Sequence, residues 1–290
     1  MTFGGARTGL EQEQDPVAVA RLRAARAFLF DMDGVLYRGP DPLPGVGPLL
    51  DRLVADGCGY VLATNNSMAS PAEYTMRLGG MGIGVPEERI LTAGTATRDY
   101  LTDLLPQEAP IYAVGMPALR HQLFDRAPFR EVTDVQPGED APAAVVVGLD
   151  LAFTYDKLRA ATTAIRAGAR FVATNADATL PTERGLVPGA GSIVAAIATA
   201  SGHQPTVIGK PSPRILEQGA ANLGVSPAEA VVIGDRLDTD ILAGQRAGML
   251  TVLVLTGVST RDEAIAAESP PDLIVDDLPA LLALLDAADG

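Results

Sequence analysis

The chain has 290 residues, a length that favours two domains or one large one. Its 22 Lys plus Arg against 36 Asp plus Glu give a net charge of −14, which argues against a nucleic-acid groove, where clustered cations hold the phosphates. At 47% hydrophobic the composition is globular, one cysteine excludes a disulfide scaffold or multi-cysteine zinc site, and no apolar run nears the roughly 20 residues of a membrane span.

Residues 1–15 read as a flexible start, with Gly4, Gly5 and Gly9 and no periodicity. They lack the basic beginning and apolar middle of a secretory signal, so a cytoplasmic protein is expected. A short helix from Pro16 to Arg26 leads into Ala27-Phe28-Leu29-Phe30, a buried strand bounded by Asp31 and Gly34. A second such run, Tyr60 to Ala63, ends at Thr64-Asn65-Asn66. Ser70-Pro71-Ala72-Glu73 has capping-box spacing with proline at the first helical position, and Gly79-Gly80 supplies the stop.

Further apolar runs lie at 111–114, 144–147, 171–173, 231–233, 251–255 and 273–275, with helical stretches at 154–167, 192–200, 213–223 and 240–247. Gly168, Gly224 and Gly248 stand where left-handed helix ends belong. Alternating strands and helices imply parallel βαβ units, hence a doubly wound, Rossmann-like α/β sheet with its ligand site at the carboxyl ends of the strands. Between Thr64 and Lys210 stand about 145 residues, too many for a loop. Within them Ala63-Thr64-Asn65 with Pro71 is echoed, 110 positions on, by Ala173-Thr174-Asn175 with Pro181. The echo suggests a second α/β unit with its own strand-then-loop.

Polar residues gather at four places at or near strand ends. In Asp31-Met32-Asp33-Gly34 the two carboxylates stand two residues apart, so an extended chain turns them to one face, where they need a cation or a shared proton. A calcium loop of the EF-hand kind would need glutamate at its twelfth position, which here is Pro42. Val231-Val232-Ile233-Gly234-Asp235 again delivers an aspartate, followed by Asp238 and Asp240; Asp240 suits either a helix cap or metal support. Oxygen ligands of this kind suit Mg²⁺. Thr64-Asn65-Asn66 can hold phosphate oxygens without adding charge. Finally, Gly209-Lys210-Pro211-Ser212-Pro213 places a lysine before a helix. Lys157 and Lys210 are the only lysines, so arginine is the default cation and a lysine in a motif stands out.

Taken in order, these four motifs resemble those of the haloacid-dehalogenase-like hydrolases, in the branch of 4-nitrophenyl phosphatases, phosphoglycolate phosphatases and sugar-phosphate phosphatases. The resemblance covers roughly residues 28–278 and includes Thr182-Glu183-Arg184-Gly185-Leu186 with Pro188-Gly189, and Leu255-Thr256-Gly257-Val258. It implies a core of residues 1–94 and 203–290 with an inserted α/β cap at 95–202. It implies Asp31 as nucleophile and Asp33 as general acid, then base. Asp31, the Asp33 carbonyl and Asp235 would bind Mg²⁺ with Asp240 in support, while Thr64, Asn65, Asn66 and Lys210 hold phosphate. Asn175 and Asp177 are the cap's candidate substrate contacts, with Glu183 and Arg184 behind them. The expected activity is hydrolysis of small phosphomonoesters such as phosphoglycolate, glycerol phosphate or a sugar phosphate, with 4-nitrophenyl phosphate as an artificial substrate. Pairing of two copies through their caps is a further expectation. A phosphomutase and a non-enzymatic phospho-acceptor switch are the alternatives.

Other residues take plainer readings. Cys58 is a buried structural thiol, and His121 and His203 lack the spacing of a metal pair. Asp276, Asp277 and Asp286 are solvated surface. Tyr37 and Arg38 follow the first motif and stand near the entrance.

Overall fold

A computed structural model describes residues 14–125, 128–136, 142–182 and 185–287. The strand Ala27–Phe30 is buried at every position, as a strand covered on both faces must be. Phe28 and Phe30 enter one apolar layer, and Ala27 and Leu29 the layer on the other side. On one flank it pairs in parallel with Ala230–Gly234, and on the other with Gly59–Thr64. Six strands follow the order Leu273–Val275, Leu250–Val254, Ala230–Gly234, Ala27–Phe30, Gly59–Thr64, Ile90–Thr92. From Ala27–Phe30 the chain first winds toward Ile90–Thr92 and later returns to wind the opposite way. The reversal lies between Ala27–Phe30 and Ala230–Gly234, the place where doubly wound sheets open a ligand crevice.

The inserted residues build a second parallel sheet, ordered Thr206–Val207, Arg170–Ala173, Ala144–Val147, Ala109–Val114, Phe129–Val132. Its membership runs past the expected boundary at residue 202, because Thr206–Val207 pairs with Val172 and Ala173. A two-residue strand carries too little pattern to be read from sequence.

Helices cover each sheet. Pro16–Ala24, Val46–Ala55, Pro71–Gly80 and Leu278–Asp286 bury their apolar faces with Phe28 and Phe30. Tyr155–Arg166 and Ala190–Ser201 cover the outer face of the second sheet. Between the sheets, Ala93–Thr102, Pro117–Phe124 and Arg214–Asn222 join one apolar layer that takes in Leu29 and Val61 from the first sheet and Ile111 and Val146 from the second. The Ser70 capping box forms as expected, with the Ser70 hydroxyl accepting from the Glu73 N–H at 3.3 Å and Glu73 accepting from the Ser70 N–H at 2.6 Å.

Asp277 departs from the solvated role expected of it. Its carboxylate caps Leu278–Asp286 by accepting from the Ala280 N–H at 2.8 Å, while Asp276 and Asp286 pair with Arg261 and Arg52 at the surface. Two hairpins, Tyr37–Arg38 with Asp41–Pro42 and Thr179–Thr182 with Gly185–Pro188, were not apparent from periodicity. Among the described residues no helix is long and apolar enough to cross a membrane.

Candidate active site

Asp31 and Asp235 owe their positions to strands that stop one residue before them. Asp31 follows Phe30, and its N–H still donates to the Ile233 carbonyl at 2.9 Å, so the ladder fixes its backbone. Asp235 follows Gly234 on the neighbouring strand. Gly34 then turns at φ +84° and brings the loop against Asp235; a Cβ there would lie 2.6 Å from Asp235 Oδ2. The side chain of Asp33 is exposed and lines the cavity above this turn.

Lys210, 2% exposed, joins the acids from the far side of the insertion. Its ammonium donates to Asp31 Oδ1 at 2.5 Å and to the Ala63 carbonyl at 3.0 Å, and lies 2.6 Å from Asp240 Oδ1. Burial alone would disfavour the charged amine, but Asp240 and Asp31 overcome it and hold Lys210 above the ordinary lysine range. Asp240 is no helix cap here: its Oδ2 accepts from the Arg236 N–H at 3.2 Å, and its Oδ1 faces Lys210. Burial pushes the Asp31 carboxyl up to about 7 against the pull of Lys210, with Asp240 and Asp235 adding to the rise. Burial and then Asp240 push Asp235 up to about 6.

These shifts describe a site short of positive charge. One oxygen each of Asp31, Asp235 and Asp240 lies within 4.8 Å of the others, with one ammonium among three carboxylates. Asp235 Oδ2 accepts from the Val258 N–H at 2.8 Å, whereas its Oδ1 is buried without a hydrogen-bond partner. An orphaned carboxylate oxygen in an all-oxygen cluster fits a hard divalent cation such as Mg²⁺.

The expected phosphate clamp lies beside this cluster. Thr64 is buried, and its hydroxyl accepts from the Asn66 N–H at 3.1 Å, while Asn66 Oδ1 accepts from the Met68 N–H at 2.7 Å. The Asn65 side chain is engaged differently from a clamp. Its Nδ2 donates to the Lys210 carbonyl at 2.7 Å and to both Asp177 oxygens at 3.3 Å. Asn175, expected to meet substrate, lines the cavity and donates from Nδ2 to the Asn65 carbonyl at 2.8 Å. Burial raises the Asp177 carboxyl, opposed by the Asn65 amide and by Arg236 and Lys210. Glu183 and Arg184 lie outside the described residues.

All ten expected site residues line or adjoin one cavity of about 880 Å³. Its rim holds groups that sequence reasoning left unassigned. Tyr74 and Arg77 stand one helical turn apart on Pro71–Gly80, Tyr74 reaching the Thr64 and Asn66 side chains and Arg77 lying 4.5 Å from the Tyr37 ring centre. The Pro71 capping signal located this helix but not the direction its face would point. Arg236, between two motif acids, pairs bidentately with Asp238 at 3.1 and 2.9 Å. Arg38 donates to the Thr256 carbonyl, which places it and Tyr37 at the rim as expected. Cys58 is half-buried, with its Sγ 3.5 Å from the Ala25 carbonyl and a pKa raised by burial, consistent with a structural thiol. His121 pairs with Asp125, away from these groups.

Comparison with known proteins assigns the chain to a family. The haloacid dehalogenase-like hydrolase family matches residues 28–126, and a HAD-hydrolase-like family matches residues 207–281. An acid sugar phosphatase of Staphylococcus epidermidis is 36% identical over 261 residues, covering 90% of this chain and 98% of that protein. The crystal structure of a 4-nitrophenylphosphatase from Thermotoga maritima superposes with a TM-score of 0.83 at 33% identity, covering 92% of this chain and 99% of that one. A glycerol phosphate phosphatase from Mycobacterium tuberculosis, solved in complex with magnesium, gives a TM-score of 0.80 at 37% identity over 90% of this chain and 78% of that one.

Proposed function

The chain belongs to the haloacid dehalogenase-like hydrolases, in their acid sugar phosphatase and 4-nitrophenylphosphatase branch, and is a phosphoric monoester hydrolase; we propose that it releases phosphate from small metabolite phosphomonoesters through an aspartyl phosphate on Asp31. The observation that carries this reading is the convergence of Asp31, Lys210, Asp235 and Asp240 from distant parts of the chain at two neighbouring strand ends.

In the first step an Asp31 oxygen attacks phosphorus and the bond from phosphorus to the leaving oxygen breaks. Asp33, as the carboxylic acid, gives that oxygen its proton, so a neutral alcohol departs. In the second step Asp33, now the carboxylate, takes a proton from water as the water oxygen attacks the same phosphorus. The bond to Asp31 breaks, returning the Asp31 carboxylate and inorganic phosphate. Splitting one hard displacement into two easier ones is what a covalent intermediate supplies. Thr64 and Asn66 hold the phosphoryl oxygens together with the main chain of Asn65. Lys210 offsets the charge that gathers between nucleophile and phosphoryl group. Asp31, Asp235 and the Asp33 carbonyl would hold Mg²⁺, with Asp240 in support. When bound, the ion supplies the positive charge that lets a dianionic ester approach several carboxylates.

Glycerol phosphate, phosphoglycolate and sugar phosphates are the candidate substrates; the cavity of about 880 Å³ has room for such small leaving groups. The second sheet's unit is also where two copies would pair, a reading supported by the exposed Leu151 and Tyr155 on it. The test of function is phosphate release across a panel of these esters and 4-nitrophenyl phosphate with Mg²⁺, using Asp31→Asn as the blank. Turnover should vanish in the blank, by about 10⁴-fold or more, and also on chelation. A blank as active as the parent removes Asp31 as nucleophile. Isomerised product without free phosphate would mark a mutase, and a long-lived phosphoprotein without release would mark a switch.

A further inference from the structure

The repeated Ala-Thr-Asn tripeptide has a spatial counterpart. Asn65 follows a strand of the first sheet, Asn175 stands two residues past a strand of the second, and the two meet, with Asn175 Nδ2 donating to the Asn65 carbonyl at 2.8 Å. Thr174 accepts from the Gly209 N–H at 2.8 Å, so the residue before Lys210 is pinned to the second sheet as well. At Gly209 a Cβ would come within 2.6 Å of Asn65 Oδ1 and 2.7 Å of the Thr174 carbonyl, so only glycine permits this approach. The Asn65 amide has two N–H donors. One goes to the Lys210 carbonyl at 2.7 Å, and the other is shared between the two oxygens of Asp177 at 3.3 Å each. Asn65 Oδ1 is buried without a partner, so the orientation of the amide is held through its nitrogen alone.

We propose that Asp177 is a positioning residue of the phosphatase reaction: its carboxylate orients the Asn65 amide, and that amide holds the main chain of Lys210 so that the ammonium stays between Asp31 and Asp240. The inference rests on the hydrolase reading above and adds to it a role for the second sheet other than substrate contact. Among the described residues Lys210 is the one cation bonded to Asp31, and small displacements at a reacting centre are costly, about 10²-fold for 1 Å. Asp177 also lines the cavity, so contact with substrate hydroxyls is the competing role.

The two roles separate with 4-nitrophenyl phosphate, whose leaving group offers no sugar hydroxyl. Asp177→Ala should lower kcat about 10- to 100-fold with 4-nitrophenyl phosphate and with glycerol phosphate alike, leaving KM little changed. Asp177→Asn keeps an acceptor for Asn65 and should restore most of kcat. The double variant Asn65→Ala with Asp177→Ala should be no worse than Asn65→Ala alone, because both remove the same link. If the alanine variant does not fold, Asp177→Ser and Asp177→Asn carry the same comparison, with serine impaired and asparagine active. A loss confined to glycerol phosphate, multiplying losses in the double variant, an unimpaired Asp177→Ala or an Asp177→Asn as weak as alanine would each overturn the inference. A parent that releases no phosphate would instead refute the functional reading itself.

Discussion

Two parallel sheets run their strand ends into one cavity, and they bring different chemistry to it. The first contributes Asp31 and Asp235 from adjacent strands, with Lys210 and Asp240 beside them. The second contributes Asn175 and Asp177, which bond to the carbonyl and the side-chain amide of Asn65 beside the first. The contrast separates the sheet that carries the acidic cluster and its ammonium from one whose polar side chains brace it. Both use the same architectural position, the carboxyl end of a buried parallel strand, so position opens a site while residue type decides its work.

Changes at the first sheet should be the most severe. Lys210→Met deprives two buried carboxylates of their ammonium, so phosphate release should fall about 10²- to 10³-fold, read by steady-state kinetics. Stability at neutral pH should drop by about 3–5 kcal/mol in denaturant melts. A Lys210→Met protein as active as the parent would break the contrast.

The cation deficit of the same sheet makes a pH prediction. With no metal bound, burial holds the Asp31 and Asp235 carboxyls up at about 7 and about 6, both above the ordinary 3.8. Groups raised in this way bind more protons folded than unfolded, so their contribution to stability declines as pH climbs from 3.8 through about 7. A divalent ion takes the place of those protons. The rise in melting temperature on adding Mg²⁺ should therefore be larger near pH 8 than near pH 5, and a rise larger in acid would count against the cluster as the binding site.

Effects on the second sheet's outer helix should be smallest. Thr154 caps Tyr155–Arg166 by accepting from the Lys157 N–H at 3.3 Å, away from the cavity. Thr154→Ala should cost about 1 kcal/mol in a denaturant melt and leave kcat where it was. A large loss of kcat would mean that the holding function reaches well beyond Asn175 and Asp177.

The reactive half of this contrast was the more legible in the sequence. Asp31 and Asp235 announce themselves because apolar runs stop directly before them, and Lys210 because lysine is rare in this chain. The roles of Asn65, Asn175 and Asp177 were harder to see. An amide at a strand end suits a phosphate as well as a carbonyl, and the direction it takes depends on residues more than a hundred positions away. Tyr74 and Arg77 were hidden for a related reason, since capping signals locate a helix without saying which tertiary neighbour its side chains will meet. The strand Thr206–Val207 and the two hairpins are too short to show a period, and the cap role of Asp277 depends on where the next helix begins.

The apolar layer between the sheets carries a thermal corollary. Leu101, Ile111 and Leu123 of the insertion share it with Leu29, Val61 and Leu216, so prising the halves apart would wet both. Such a seam acts as a weld, and calorimetry should record a single endotherm whose calorimetric and van't Hoff enthalpies agree. Arg38, Arg77 and Val258 line the cavity that holds Asp31, so a welded seam would leave their side chains to flank whatever enters it.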